Sequence, residues 1–349
     1  MSLDKPVRRK LDLKNGRVDL SHGAGGRAMG QLIDDVFRAA FDNDWLSAGN
    51  DQSAFDVAAG RMVMTTDAYV VSPIFFPGGD IGRLSVNGTI NDIAMAGARP
   101  LYLSASFVIE EGFPLADLVR VASSMGEAAR AAGTPIITGD TKVVERGKAD
   151  KVFISTAGVG VAPPGLNLSS DRVRPGNVAI VSGTMGDHGV AVMSKRENLE
   201  FETQILSDTA ALHGLVADMV RMAGPGLRVM RDPTRGGLAA TLNELAHQSG
   251  VGFSIEEAAI PIRPEVAAAC EFLGLDPLNV ANEGKLVAIV APEFADPLVA
   301  AMKAHPLGAD SAVIGRAVDD PNRFVEMRTA FGGGRIVDWL SGEQLPRIC

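Results

Sequence analysis

Hydrophobic positions along the chain change period from one segment to the next. Met29, Leu32, Ile33, Val36, Phe37 and Ala40 recur at helical spacing, so 27–41 reads as an amphipathic helix. From about Ser53 to Gly160 strands and helices alternate. Strands are predicted at 61–66, 102–109, 134–138 and 152–161, and helices at 83–96 and 114–132, the latter with Pro114 at its start. Pro163-Pro-Gly165 and Arg174-Pro-Gly176 bracket a predicted linker. Beyond it come strands at 177–182, 251–255, 285–290 and 311–314. Helices are predicted at 186–196, 208–222, 236–249, 264–273 and 293–304. After Phe331-Gly-Gly-Gly334 only a short tail without helical pattern remains. These breaks divide the chain into an N-terminal segment (1–45), two α/β units (46–163 and 164–330) and a mobile tail (331–349).

With 349 residues the chain is long enough for two cores. The formal net charge of −9 argues against a nucleic-acid partner, whose phosphates need a basic footprint. Thirty-nine glycines and 5% aromatic residues suit tight turns and backbone held close to a ligand. Two cysteines, Cys270 and Cys349, are too few for a disulfide framework and fit a reducing cytoplasm. The longest uncharged stretch, 152–170, is broken by Pro163, Pro164 and Asn167, so no membrane span is predicted.

Several chemistries are excluded by missing motifs. Neither Gly147-Lys-Ala149 nor Gly284-Lys-Leu286 completes a P-loop, and no dinucleotide fingerprint, zinc spacing or Gly-x-Ser-x-Gly elbow occurs. Asp51, Asp67, Asp92 and Asp140 each fall at a predicted strand end or small-residue turn. Such carboxylates suit Mg²⁺, which takes one or two of them plus substrate phosphates, although aspartate also favours turns for its own sake. Two Gly-rich elements, His22–Gly26 and Arg231–Gly237, open helices, where exposed N–H groups attract phosphate. Together they suggest a nucleotide between the units. His188 and Glu283 are acid–base candidates, and each has an ordinary structural alternative. Cys349 ends an arm that could span about 35 Å over its last ten residues. Arg347 would favour its thiolate, and the terminal carboxylate would oppose it.

The same segments resemble those of the HypE family of hydrogenase maturation proteins. HypE proteins are carbamoyl dehydratases related to aminoimidazole ribonucleotide synthetase, selenophosphate synthetase and thiamine monophosphate kinase. The resemblance rests on His22-Gly-Ala-Gly-Gly26, Thr65-Thr-Asp67, Phe75–Gly82, Gly88-Thr-Ile-Asn-Asp92, Gly139–Lys148, Arg231-Asp-Pro-Thr-Arg-Gly-Gly237, Asn282-Glu-Gly-Lys285 and, most specifically, Pro346-Arg-Ile-Cys349. Asn50-Asp51 departs from the paired acids of relatives and leaves Asp51 the weakest of the expected metal ligands.

The resemblance implies a two-domain α+β, PurM-like fold. The N-terminal domain would pair in a homodimer, the C-terminal domain would be α/β/α, and the tail flexible. It implies ATP near the dimer interface, with Gly23, Gly25 and Gly26 over the phosphates. Asp51, Asp67, Asp92 and Asp140 would hold Mg²⁺, and Asn91, Thr141 and Lys142 would line the pocket. A carbamoyltransferase, HypF, would load a carbamoyl group on Cys349. ATP would then drive its dehydration to a thiocyanate, with Lys142 stabilising the phosphoryl charge and Glu283, or else His188, as base. The cyanide would pass to a HypC–HypD complex.

A selenophosphate synthetase would need a reactive Cys near the start, and residues 1–50 have none. The other two relatives leave Cys349 unexplained. A non-catalytic carrier is the alternative of a different class. It would pass on the carbamoyl group unchanged in Asp92→Asn, where a dehydratase would stall.

Overall fold

The computed structural model describes residues 11–48, 50, 52–56, 59–199, 204–339 and 345–349. Asp51, one of the expected metal ligands, lies outside them.

The first sheet joins β1 (Arg61–Tyr69), β2 (Arg99–Glu110), β3 (Ile136–Val144) and β4 (Val152–Ala162) in the order β1-β4-β2-β3. Only β2 and β3 run parallel. Helices α1 (Ile81–Met95) and α2 (Leu115–Ala131) cover one face. α1 starts where the Asp80 carboxylate accepts the Arg83 N–H (3.0 Å). It is buried nearly all round, yet it carries Ser85, Asn87, Thr89, Asn91 and Asp92. A buried helix this polar is spending those side chains on partners rather than on packing.

Beyond it, β5 (Val178–Val181), β6 (Leu227–Arg231), β7 (Gly252–Glu256), β8 (Val287–Val290), β9 (Ala312–Val318), β10 (Val325–Arg328) and β11 (Gly334–Ile336) form a second sheet. Its order is β11-β10-β7-β9-β5-β8-β6. Its helices include α3 (Asp187–Arg196). The strands at β6, β10 and β11 are absent from the periodicity reading. The helix predicted at 208–222 begins only at His213. Residues 204–211 instead form a segment without regular secondary structure, in contact with α1 through Thr209 and Ala210.

The tail departs most from expectation. It is not free from 331 onward, because Gly334–Ile336 pairs with β10. Its last residues are seated as well: Leu345 and Ile348 are buried in the main core, which they share with α1 and α2. The Val70 and Ser72 N–H groups donate to the main-chain oxygens of Cys349 and Arg347 (3.2 and 3.1 Å), extending β1 by a short antiparallel pairing. Arg347 adds a bond to the Val70 carbonyl (3.0 Å) and an ion pair with Asp150. An apolar Leu345/Ile348 pair is what turns the arm inward.

Candidate active site

β1 and α1 bring the first acids together. Thr65 donates to the Asp92 carboxylate (2.6 Å), and Tyr69 donates to that of Asp67 (3.1 Å). Desolvation and then the Asp67 charge raise the Asp92 carboxyl, while Thr65 opposes the rise. Asp232, just past β6, joins them from the other domain. Desolvation and then Asp92 push it up to about 7. Asp232 was not singled out from the sequence, although the signal was present: an acid ending a strand and opening the second Gly-rich element.

Glu283 and Cys349 complete this cluster. Desolvation, then Asp232, Asp208 and Asp67, push the Glu283 carboxyl well above its ordinary range, and Arg235 opposes them. Glu283 Oε1 is buried without a hydrogen-bond partner, while its main-chain N–H donates to Asp208 (3.0 Å). Desolvation and then Glu283 raise the Cys349 thiol, again opposed by Arg235. Arg347 does not serve that thiol, since its guanidinium is turned to Asp150. Arg235 is the cation that faces both groups, and the sequence reading passed over it as part of a loop.

The remaining predicted residues lie elsewhere. Asp140 pairs across the first sheet with Ser106, Ser106 with Ser155, and Ser155 with Ala68. Asp140 therefore shares a face with Ala68, not with Asp67, because neighbouring residues on a strand point to opposite faces. It also lies three strand spacings away, roughly 14 Å. Within one chain, then, Asp140 stands apart from Asp67 and Asp92. Asp67 and Asp140 lie within strands and Asp92 within a helix, so none of these three is a turn residue.

Lys142 follows Asp140 on the open face. The pair (3.2 Å) is exposed and contributes little by itself. Thr141 is buried and lines, with Asp140, a cavity of about 530 Å³ that includes Met29, Ile33, Phe37 and Phe107. Gly23 packs against β3, where a Cβ would fall 2.6 Å from the Val143 nitrogen, and Gly25 has φ +77°. Gly26 follows at the N-terminal end of the short helix Arg27–Leu32. One chain thus presents two half-sites: a cavity of mixed polarity beside the Gly-rich loop, Asp140, Thr141 and Lys142, and an acidic cluster around Cys349.

Two candidates take other roles. Asn91 donates to the carbonyls of Ala210 (3.0 Å) and Glu283 (3.2 Å) and accepts from the Leu212 N–H (2.8 Å). Its two N–H donors are both spent on joining the domains. His188 is buried and bonded through both ring nitrogens, to Ser207 (2.8 Å) and to the Ile348 carbonyl (2.9 Å). Desolvation lowers its pKa, so it stays neutral, and with both nitrogens engaged it is not free to act as a base.

Asp67 and Asp92 are hard oxygen donors whose mutual repulsion a divalent cation would relieve. Mg²⁺ asks for no more than such a pair plus phosphate oxygens. Among the described residues no three acidic, imidazole or thiol groups stand close enough to hold an ion by themselves.

This pair of linked α+β domains is that of the AIR synthase-related proteins. The N-terminal domain model of that family matches residues 49–162 and the C-terminal domain model matches 174–328. The chain is 76% identical over 345 residues to carbamoyl dehydratase HypE of Rhizobium leguminosarum bv. viciae, covering 99% of both. It also matches a crystal structure of hydrogenase maturation protein HypE in complex with ATP. There the TM-score is 0.91 and the identity 48%, over 95% of this chain and 99% of that one. A HypE–HypF complex structure matches with a TM-score of 0.78 and 48% identity, over 88% and 99%. The chain belongs to the HypE family of carbamoyl dehydratases. No described helix is long and apolar enough to cross a membrane.

Proposed function

We propose that this enzyme dehydrates a carbamoyl group carried on the Cys349 sulfur to a thiocyanate at the expense of ATP, supplying cyanide for a [NiFe]-hydrogenase in the cytoplasm. The observation that carries this reading is the seating of the terminal thiol among Glu283, Arg235, Asp67 and Asp232. A stray terminal thiol would have no reason to be drawn into an acidic cluster. In the seat a thiolate is disfavoured, so HypF loads the sulfur with the tail released. The loaded sulfur is uncharged and enters without that cost.

The amide oxygen then attacks the ATP γ-phosphorus. An O–P bond forms, the bond to the β-phosphate oxygen breaks, and ADP leaves. Loss of one N–H proton gives the phosphorylated imidate. Glu283 takes the remaining N–H proton as the C–O bond breaks and phosphate departs, leaving S–C≡N. A carboxyl held well above its ordinary range keeps a proton once it has taken it, and Arg235 faces the carrier opposite it. Asp67 and Asp92 would hold Mg²⁺ against the phosphates, with Asp232 beside them, and Lys142 would offset the phosphate charge. The product passes to HypC–HypD.

Two half-sites on one chain also support a homodimer in which a second copy completes each ATP site. The open face of the first sheet exposes Met62 and Met64 (44% and 74%), and Val108 further along the same face. Apolar surface of this kind is normally covered. Met64→Arg is expected to give a monomer by light scattering and to weaken ATP binding at least tenfold by calorimetry.

Intact mass spectrometry of the C-terminal peptide tests the reaction. With HypF, carbamoyl phosphate and Mg-ATP, Cys349 should gain a carbamoyl group and then lose one water, only with hydrolysable ATP. An adduct that never loses water would point to the carrier, and no adduct would remove Cys349 from the reaction.

A further inference from the structure

The tail seat contains a connection that the reaction above does not use. His188 sits on α3 with no exposed surface, its ring edge-on to Phe76 (5.4 Å, 89°). A carbonyl oxygen can only accept, so Nε2 carries the ring hydrogen and donates it to Ile348, one residue before the thiol. Nδ1 is then the acceptor and takes the Ser207 hydroxyl hydrogen. The Thr209 N–H donates to the same Ser207 oxygen (3.2 Å), which turns the hydroxyl hydrogen toward the ring. The next residue, Asp208, accepts the Glu283 N–H. One dipeptide, Ser207-Asp208, therefore touches both the group that holds the tail and the backbone of the proposed base.

From this geometry we infer that His188 is a positioning residue that latches the loaded C-terminus, and that Ser207-Asp208 registers Cys349 against Glu283. With the tail released, Nε2–H loses the carbonyl it donates to, and the hydrogen bond's contribution to seating is lost. The latch thus favours the seated arm through one carbonyl, whatever group the sulfur carries. Arg196 adds a second hold by donating to the carbonyls of Ser72 and Arg347 (2.6 and 2.8 Å). That hold lies two residues from the thiol and has no connection to Glu283, so it seats the arm without setting the sulfur's register. The inference rests on the dehydratase reading only for its link to Glu283.

The test separates seating from turnover. In His188→Ala, a neutral hydrogen bond of this kind predicts alkylation of Cys349 by iodoacetamide faster by about tenfold. Dehydration of the preloaded enzyme should slow by a similar factor, while loading by HypF, which uses the released tail, should be no slower than in wild type. His188→Gln, whose amide can donate to Ile348, should restore most of both. If His188→Ala loses its cooperative melt, Ser207→Ala carries the test, with a smaller shift in the same direction. Unchanged alkylation in a folded variant overturns the latch. Faster alkylation with unchanged dehydration, or a Gln variant no better than Ala, overturns the positioning role. Alkylation needs neither ATP nor turnover, so it reports on the latch even if the wild-type enzyme proves to be a carrier.

Discussion

Cys349→Ala is expected to stop thiocyanate formation, with a loss on the order of 10⁴-fold or more, because the atom that carries the substrate is gone. ATP should bind as before, since the substitution removes an uncharged thiol and leaves the Gly-rich loop, the cavity beside β3 and the carboxylates in place. The fold should also survive. Leu345 and Ile348, not the half-buried sulfur, anchor the arm, and the main-chain oxygen of residue 349 still accepts from Val70. The measurement is mass spectrometry of the C-terminal peptide after incubation with HypF, carbamoyl phosphate and Mg-ATP, with a thermal melt as control. A variant that still yields a nitrile-bearing peptide would place the carrier elsewhere, and among the described residues the other cysteine, Cys270, is buried.

Glu283→Gln separates loading from chemistry. The tail docks and is loaded as before, but the imidate has no base. Dehydration should fall on the order of 10²–10⁴-fold, and the carbamoyl adduct should accumulate. The substitution keeps the side chain's size and removes an acid crowded by Asp232, Asp208 and Asp67. The sign of the stability effect follows from the raised pKa. As pH rises through the ordinary glutamate range, the unfolded chain loses its proton first, which favours unfolding of the wild type. In the metal-free protein at neutral pH the variant should therefore melt no lower than wild type. Single-turnover assays from the preloaded enzyme, with differential scanning calorimetry alongside, read both quantities. Wild-type dehydration by Glu283→Gln would remove Glu283 from the proton transfer.

Much of this protein is legible in its sequence, because its information is local. Helical spacing sets the long helices, the Pro- and Gly-marked breaks separate the two units, and Pro346-Arg-Ile-Cys349 points to the family. The individual acids, Glu283 and the terminal thiol also stand out, since each is a chemical type in a distinctive local setting. What the sequence could not supply is pairing across space. Only the strand register puts Asp140 on the opposite face from Asp67, since a strand's period tells which residues share a face but not which strands are neighbours. Only tertiary contact brings Asp232 and Arg235 from the second domain to Cys349, turns Asn91 into a joint, and gives His188 the Ile348 carbonyl. Even the tail's docking is a tertiary decision. Leu345 and Ile348 are two apolar residues with no periodicity of their own, and they become anchors only because a core open to them exists elsewhere in the fold.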